Sequence, residues 1–187
     1  MMNAFRLVAA LVVIASPAGA REVAGVKVPD TVTVEGKPLK LNGAGIRKKF
    51  VIKVYVGALF VEAASTDPNA IIGSDQIKSV HLYFLRDVGR EKILEAFREG
   101  FEKNSAPPKL AALNASLQQA ASAIQDLKEG AEFVVTYLPG KGTTLGTKGG
   151  KEVTVAGKDF ADALFRNWIG TYPADDDLKE QMLAGGK

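Results

Sequence analysis

Phe50-Val51-Ile52-Lys53-Val54-Tyr55-Val56-Gly57-Ala58-Leu59-Phe60-Val61-Glu62 is the stretch on which the fold reading turns. Its β-branched and aromatic residues predict a strand. The even positions Phe50, Ile52, Val54, Val56, Ala58 and Phe60 are all apolar, so that face is expected in a core. The odd positions put Lys53 and Tyr55 on the second face beside Gly57, with Leu59 and Val61 beyond them. An amine and a phenol on an otherwise apolar face fit the wall of an amphipathic cleft. They fit a solvent-facing strand surface equally well.

Upstream, Thr31 to Glu35 alternates as a strand, Glu35-Gly36-Lys37-Pro38 reads as a turn, and Leu39 and Leu41 suggest a returning strand. Asn42-Gly43-Ala44-Gly45 then breaks the pattern with two glycines. Downstream, Ile77 to Leu85 is a strand with Val80, Leu82 and Phe84 on one side and Ser79, His81 and Tyr83 on the other. Asp87 is placed to cap a helix running to about Asn104, with Ile93, Leu94, Phe97 and Phe101 in one stripe. After Ser105-Ala106-Pro107-Pro108, a second helix carries Leu110, Leu113, Leu117, Ala121, Ile124 and Leu127, with Gly130 as its stop.

Phe133 to Leu138 reads as a strand, and Gly149-Gly150 joins Thr143–Thr147 to Glu152–Val155 as a hairpin. Asp159 opens a helix with Phe160, Leu164 and Trp168 one turn apart, and Asp175 to Asp177 cap a short one holding Leu178 and Met182. Strands, two helices, strands and two helices, with hairpin-type connections, predict an α+β fold in which helices cover an antiparallel sheet.

The 187 residues suffice for one domain, and 47% apolar with 24% charged residues is ordinary globular usage. Arg6, the apolar run Leu7 to Ile14 and the triplet Ala18-Gly19-Ala20 read as a secretory leader cut after Ala20. The expected division is leader 1–20 and domain 21–187, in the periplasm or secreted. The apolar run is too short to span a bilayer, so no membrane span is expected after cleavage.

No Cys and a single His, His81, exclude thiol chemistry and make a metal centre or a Ser-His-Asp triad improbable. Lone histidines on strands are mostly packed or surface residues. No cofactor is expected. The formal charge of +3 falls to +2 without Arg6 and is spread along the chain, which gives no case for a nucleic-acid partner.

Three stretches resemble the chalcone isomerase family. They are Asn42-Gly43-Ala44-Gly45-Ile46-Arg47 leading into the long strand, Arg90-Glu91-Lys92 opening a helix, and Gly157-Lys158-Asp159-Phe160 through Phe165-Arg166-Asn167-Trp168-Ile169-Gly170. Their order and spacing agree with the family, in particular with its short bacterial members that carry leaders. The resemblance implies an open-faced β-sandwich with a ligand cleft between sheet and helices.

It also implies that Arg47 holds an anion, a phenolate in the enzymes and a carboxylate in related fatty-acid-binding proteins. Tyr55 falls where those binders have tyrosine, and Asn167-Trp168 stands for the enzymes' threonine–methionine pair. The enzymes' tyrosine has no counterpart in Asp87-Val88-Gly89, and their asparagine none at Leu94 or Ala96. The expected function is therefore non-catalytic binding of a small amphipathic anion such as a fatty acid by Arg47, Tyr55, Lys53, Asn167 and Trp168. An isomerase-type intramolecular lyase with altered substrate is the first alternative. A cell-envelope partner protein, using Lys48-Lys49 and Asp175-Asp176-Asp177, is the second.

Overall fold

The computed structural model describes residues 19–186. The expected leader, residues 1–20, lies almost wholly outside them. Strands β1 (Ala20–Val23) and β2 (Val26–Pro29) form a separate hairpin that the sequence reading did not anticipate.

The main sheet is antiparallel throughout and follows chain order. Its strands are β3 (Thr31–Val34), β4 (Lys37–Lys49), β5 (Ile52–Val61), β6 (Lys78–Phe84), β7 (Glu132–Leu138), β8 (Gly142–Thr147) and β9 (Glu152–Val155). The sheet curls into a half-barrel: Lys141 on the β7–β8 turn reaches Glu35 on the β3–β4 turn at 2.6 Å, although those strands stand several places apart. The α+β architecture expected from the sequence is the one found.

Both sheet faces are buried along β5. One face, with Leu59, Val61, Val80, Leu82, Val135 and Leu145, packs under the helices as the larger core. The other, with Leu39, Leu41, Val56, Ala58 and Phe60, forms a second core with Val28 of β2.

Two bulges decide which side chains face the helices. Leu41 pairs with Phe60 but Gly43 with Leu59, which leaves Asn42 as an extra residue in β4. Its buried amide donates to Ser65 and Met182 carbonyls and accepts from the Ser65 N–H. Further along, Arg47 pairs with Tyr55 but Lys48 with Lys53, so Val54 is the extra residue in β5. That bulge shifts the alternation. Val54 joins the larger core beside Tyr55, and Phe50 and Val51 become an exposed turn instead of strand. Lys53 loses its place next to Tyr55 and is exposed.

Asn42-Gly43-Ala44-Gly45 does not break the strand; β4 runs straight through it. The glycines serve close packing by the terminal helix α6 (Asp176–Met182). A Cβ on Gly43 would lie 2.0 Å from the Gln181 carbonyl, and one on Gly45 would lie 2.5 Å from the Gln181 side chain. Asp175 caps α6 through the Leu178 N–H and also accepts from the Lys48 N–H. Lys48 and Asp177 form an ion pair at 3.9 Å, with both side chains still exposed.

Helix α1 (Pro68–Gly73), capped by Asp67, was not anticipated. Helix α2 (Arg90–Asn104) has the expected span, but Gly89 is its cap residue. Asp87 instead binds Lys128 and the Glu129 N–H. The expected second helix is two short ones, α3 (Pro107–Ala112) and α4 (Asn114–Ala121), jointed at Leu113. The helical part ends at Ala121, short of the expected span; Leu113 is buried at the joint, and Ile124 and Leu127 are buried from the segment that follows α4. Gly130 sits at φ 81° in the turn before β7 and ends no helix. Helix α5 (Lys158–Ile169) buries Phe160, Leu164 and Trp168 as expected.

His81 packs edge-on against Phe60, with Nδ1 2.7 Å from Glu132 Oε1. Lys148 binds the other Glu132 oxygen at 2.8 Å. Burial alone would raise the Glu132 carboxyl, but the hydrogen bonds and charges of His81 and Lys148 bring it from 4.5 down to about 2. A depressed carboxylate contributes stability that is present above its unfolded pKa and lost as pH falls toward its folded one. Acid titration followed by circular dichroism should show stability declining between pH 4.5 and about 2. Glu132→Gln should flatten that decline; an unchanged acid limb would show that the pair contributes nothing.

Candidate functional site

Strand β4 brings Arg47 opposite Tyr55 on β5, with the guanidinium carbon 5.6 Å from the ring centroid. The two residues stand where a cleft enters between the sheet and α2. Its outer part, about 460 Å³, is lined by Lys49, Phe50, Ile52, Arg86, Glu95 and Glu99 among others. Its inner chamber, about 90 Å³, is lined mainly by apolar side chains, among them Leu82, Phe84, Ile93, Phe97, Leu127 and Phe133. Arg47, Val54, Val88, Lys92 and Ala96 line both, so the two parts are continuous.

The polar groups on the chamber wall are few and incompletely used. Arg47 Nε is buried without a hydrogen-bond partner, and no ion pair of the described residues involves Arg47. A buried donor left unsatisfied costs about 1–3 kcal/mol, which an anion in the chamber would recover. Trp168 Nε1 donates to the Tyr55 hydroxyl at 3.1 Å. That bond uses Tyr55 oxygen as acceptor and leaves its own O–H free to donate. Burial raises the Tyr55 pKa, against the lowering effects of Arg47 and the Trp168 hydrogen bond, so the phenol stays a neutral donor.

Asn167 on α5 reaches the Phe97 carbonyl with Nδ2 at 3.5 Å, and its Oδ1 is buried without a partner. The structure thus gathers four of the five residues expected from the sequence, Arg47, Tyr55, Asn167 and Trp168, in one chamber. Lys53 is the exception, because the Val54 bulge turns it out of the row and it lines no part of the cleft.

Charge at the mouth is mixed but favours anions. Arg47, Lys49, Arg86 and Lys92 line it, facing Asp87, Glu95 and Glu99. Two of those three carboxylates are already bound, Asp87 to Lys128 and Glu99 to Lys103. Lys92 was not singled out as a site residue, because a lysine in the first turn of an amphipathic helix looks like any solvated one.

The family model described as chalcone isomerase-like matches residues 20–184. The chain belongs to the chalcone isomerase-like family. Among solved structures it is similar to a fatty-acid binding protein of Arabidopsis thaliana, with a TM-score of 0.63 over 87% of this chain and 93% of that one. At 14% identity that similarity establishes the shared fold. A comparison with curated protein sequences finds no match.

Within this chalcone isomerase-like chain, the approach to α2 and its first turns contribute apolar wall to the cleft. Val88 and Ala96 line both parts of the cleft as apolar wall. Leu94 faces a different groove, against α3 and α4. Val88 is fixed by a two-bond bridge to Leu127, at 2.8 and 2.9 Å, which ties the α2 approach to the segment after α4.

Proposed function

We propose that this protein binds, without converting it, a small amphipathic anion of the fatty-acid type, and does so in the periplasm. The observation that carries the reading is the unpartnered buried Arg47 Nε beside the free Tyr55 O–H at the head of an apolar chamber. A carboxylate there would accept from the guanidinium fork and the phenol together. The tail would begin in the inner chamber and continue along the outer cleft, whose volume lies in the usual range for ligand sites. The structurally similar Arabidopsis thaliana protein is a fatty-acid binding protein, which supports this reading. The leader-like N-terminus supports the compartment.

Catalysis of the isomerase kind needs a positioned proton-transfer network around the bound anion. The segment Asp87-Val88-Gly89 holds no tyrosine and neither Leu94 nor Ala96 is an asparagine, so the network that the resemblance calls for is not matched in this sequence.

Native mass spectrometry of protein recovered from an envelope extract tests the proposal. A fatty acid or similar anion should be bound one to one, and Arg47→Ala should weaken it by about 100-fold, the worth of a charged bidentate contact. Because Arg47 Nε is unpaired, the melting temperature of Arg47→Ala should hardly change. An empty wild-type protein that also fails to take up added palmitate would overturn the reading. So would accelerated cyclisation of naringenin chalcone that vanishes in Arg47→Ala.

A further inference from the structure

Among the described residues four large hydrophobic side chains are strongly exposed, and three of them are consecutive. Phe50 is 90% exposed, Val51 92% and Ile52 45%, at the tip of the β4–β5 hairpin. Single exposed hydrophobics are ordinary; three in a row on a projecting turn are not. Phe50 also holds φ 57°, a conformation that hairpin turns normally give to glycine. A bulky aromatic kept in that position, with no packing to reward it, points to a use outside the folded chain.

The flanks are basic. Lys48, Lys49 and Lys53 bracket the tip. Lys48 is paired with Asp177, whereas no ion pair of the described residues involves Lys49 or Lys53. Arg86 and Lys92 are exposed on the adjoining rim of the cleft, which Phe50 and Ile52 also line. The rim also carries Asp87, Glu95 and Glu99, of which Asp87 and Glu99 are paired with Lys128 and Lys103. Apolar side chains flanked by Lys49 and Lys53 match the interface of an anionic bilayer, with acyl chains below and phosphates at the level of the amines.

We propose that the β4–β5 tip docks this protein on an anionic phospholipid bilayer, with Phe50 and Val51 inserted at the headgroup boundary. Docking sets the cleft mouth against the lipid surface. An amphipathic anion then passes between bilayer and chamber without crossing water. That last step rests on the ligand reading above; the docking does not.

The test is flotation of the exported protein with vesicles of phosphatidylglycerol and phosphatidylcholine in equal parts, beside vesicles of phosphatidylcholine alone. Binding should require phosphatidylglycerol and weaken with salt. Val51→Asp/Lys53→Glu, two exposed residues that line no part of the cleft, should lower it about 50-fold or more at an unchanged melting temperature. The chain has no Cys, so Val51→Cys carries a single polarity-sensitive label. Its emission should shift to the blue on anionic vesicles.

Vesicle binding that is equal in wild type and the double variant would overturn the proposal. An unshifted label would do the same, and so would tip-dependent dimerisation in place of vesicle binding. Palmitate affinity in solution, which the double variant should retain, separates failure of docking from failure of the ligand reading.

Discussion

Lys78→Ala is expected to destabilise the protein by about 2–5 kcal/mol, because it empties a fully buried side-chain site and removes three hydrogen bonds to carbonyls. Lys78 has no solvent exposure. Its ammonium donates to the Ile71, Ile72 and Ser74 carbonyls at 3.0, 2.7 and 2.9 Å, which closes the C-terminal end of α1. That end carries the negative pole of the helix and carbonyls without intrahelical partners. The ammonium also lies 5.2 Å from the Tyr137 ring centroid and 5.6 Å from that of Phe165. Lys78→Met keeps most of the stem packing and strands the Ser74 carbonyl, at about 1–3 kcal/mol when buried, whereas Ile71 still accepts from the Ser74 hydroxyl and Ile72 from Lys158. It should therefore be milder than alanine and still clearly destabilising.

A pH signature identifies the cause. Burial lowers the Lys78 pKa from 10.5 to about 8, reinforced by Lys158 and opposed by Asp162 and Asp75. In that window the unfolded chain holds a proton that the folded one has released, so wild-type stability gains a rising contribution as pH climbs from about 8 to 10.5. The cost of burying the charge is fully present below that range. Urea titrations across it should show the wild-type slope and its absence in Lys78→Met. A loss under 1 kcal/mol in Lys78→Ala would mean that water replaces the ammonium at little cost.

The fold was legible because hairpins and amphipathic stripes are local. The pattern from Thr31 to Val34, from Lys78 to Phe84 and from Glu132 to Val155 is written in alternation and in turn residues. The misreadings share a cause in long-range contact. Gly43 and Gly45 look like a strand break until α6, which lies far along the chain, is seen against them. Lys53 was placed beside Tyr55 by strict alternation, and the extra residue Val54 cancels that parity. No residue type announces such a bulge. Strand alternation marks Tyr55 before the family resemblance does, whereas Arg47 is marked by the resemblance alone. Nothing in the sequence pattern marks Val88 or Ala96, and the structure gives both a role as apolar wall.

Trp168→Ala should cost about 3–5 kcal/mol and change what the cleft accepts. The indole is 6% exposed, packs edge-on to Phe165 and belongs to the larger core, yet it also forms part of the chamber wall. Truncation would add its volume to a chamber of about 90 Å³ that is already present. The surroundings cannot easily collapse there, because Tyr55 and Asn167 on either side are held by β5 and α5. Trp168→Phe separates the contributions: it keeps much of the apolar area, loses the bond to the Tyr55 hydroxyl, and should cost about 1–2 kcal/mol. Denaturant midpoints at constant m-value measure both. In the same proteins, the affinity order among saturated fatty acids should move toward longer tails in Trp168→Ala, because the enlarged chamber takes more methylenes out of water. A destabilised variant with an unchanged chain-length order would place the tail elsewhere than in this chamber. A stable variant would show that the indole is wall alone and that Phe165 and its neighbours hold the core without it.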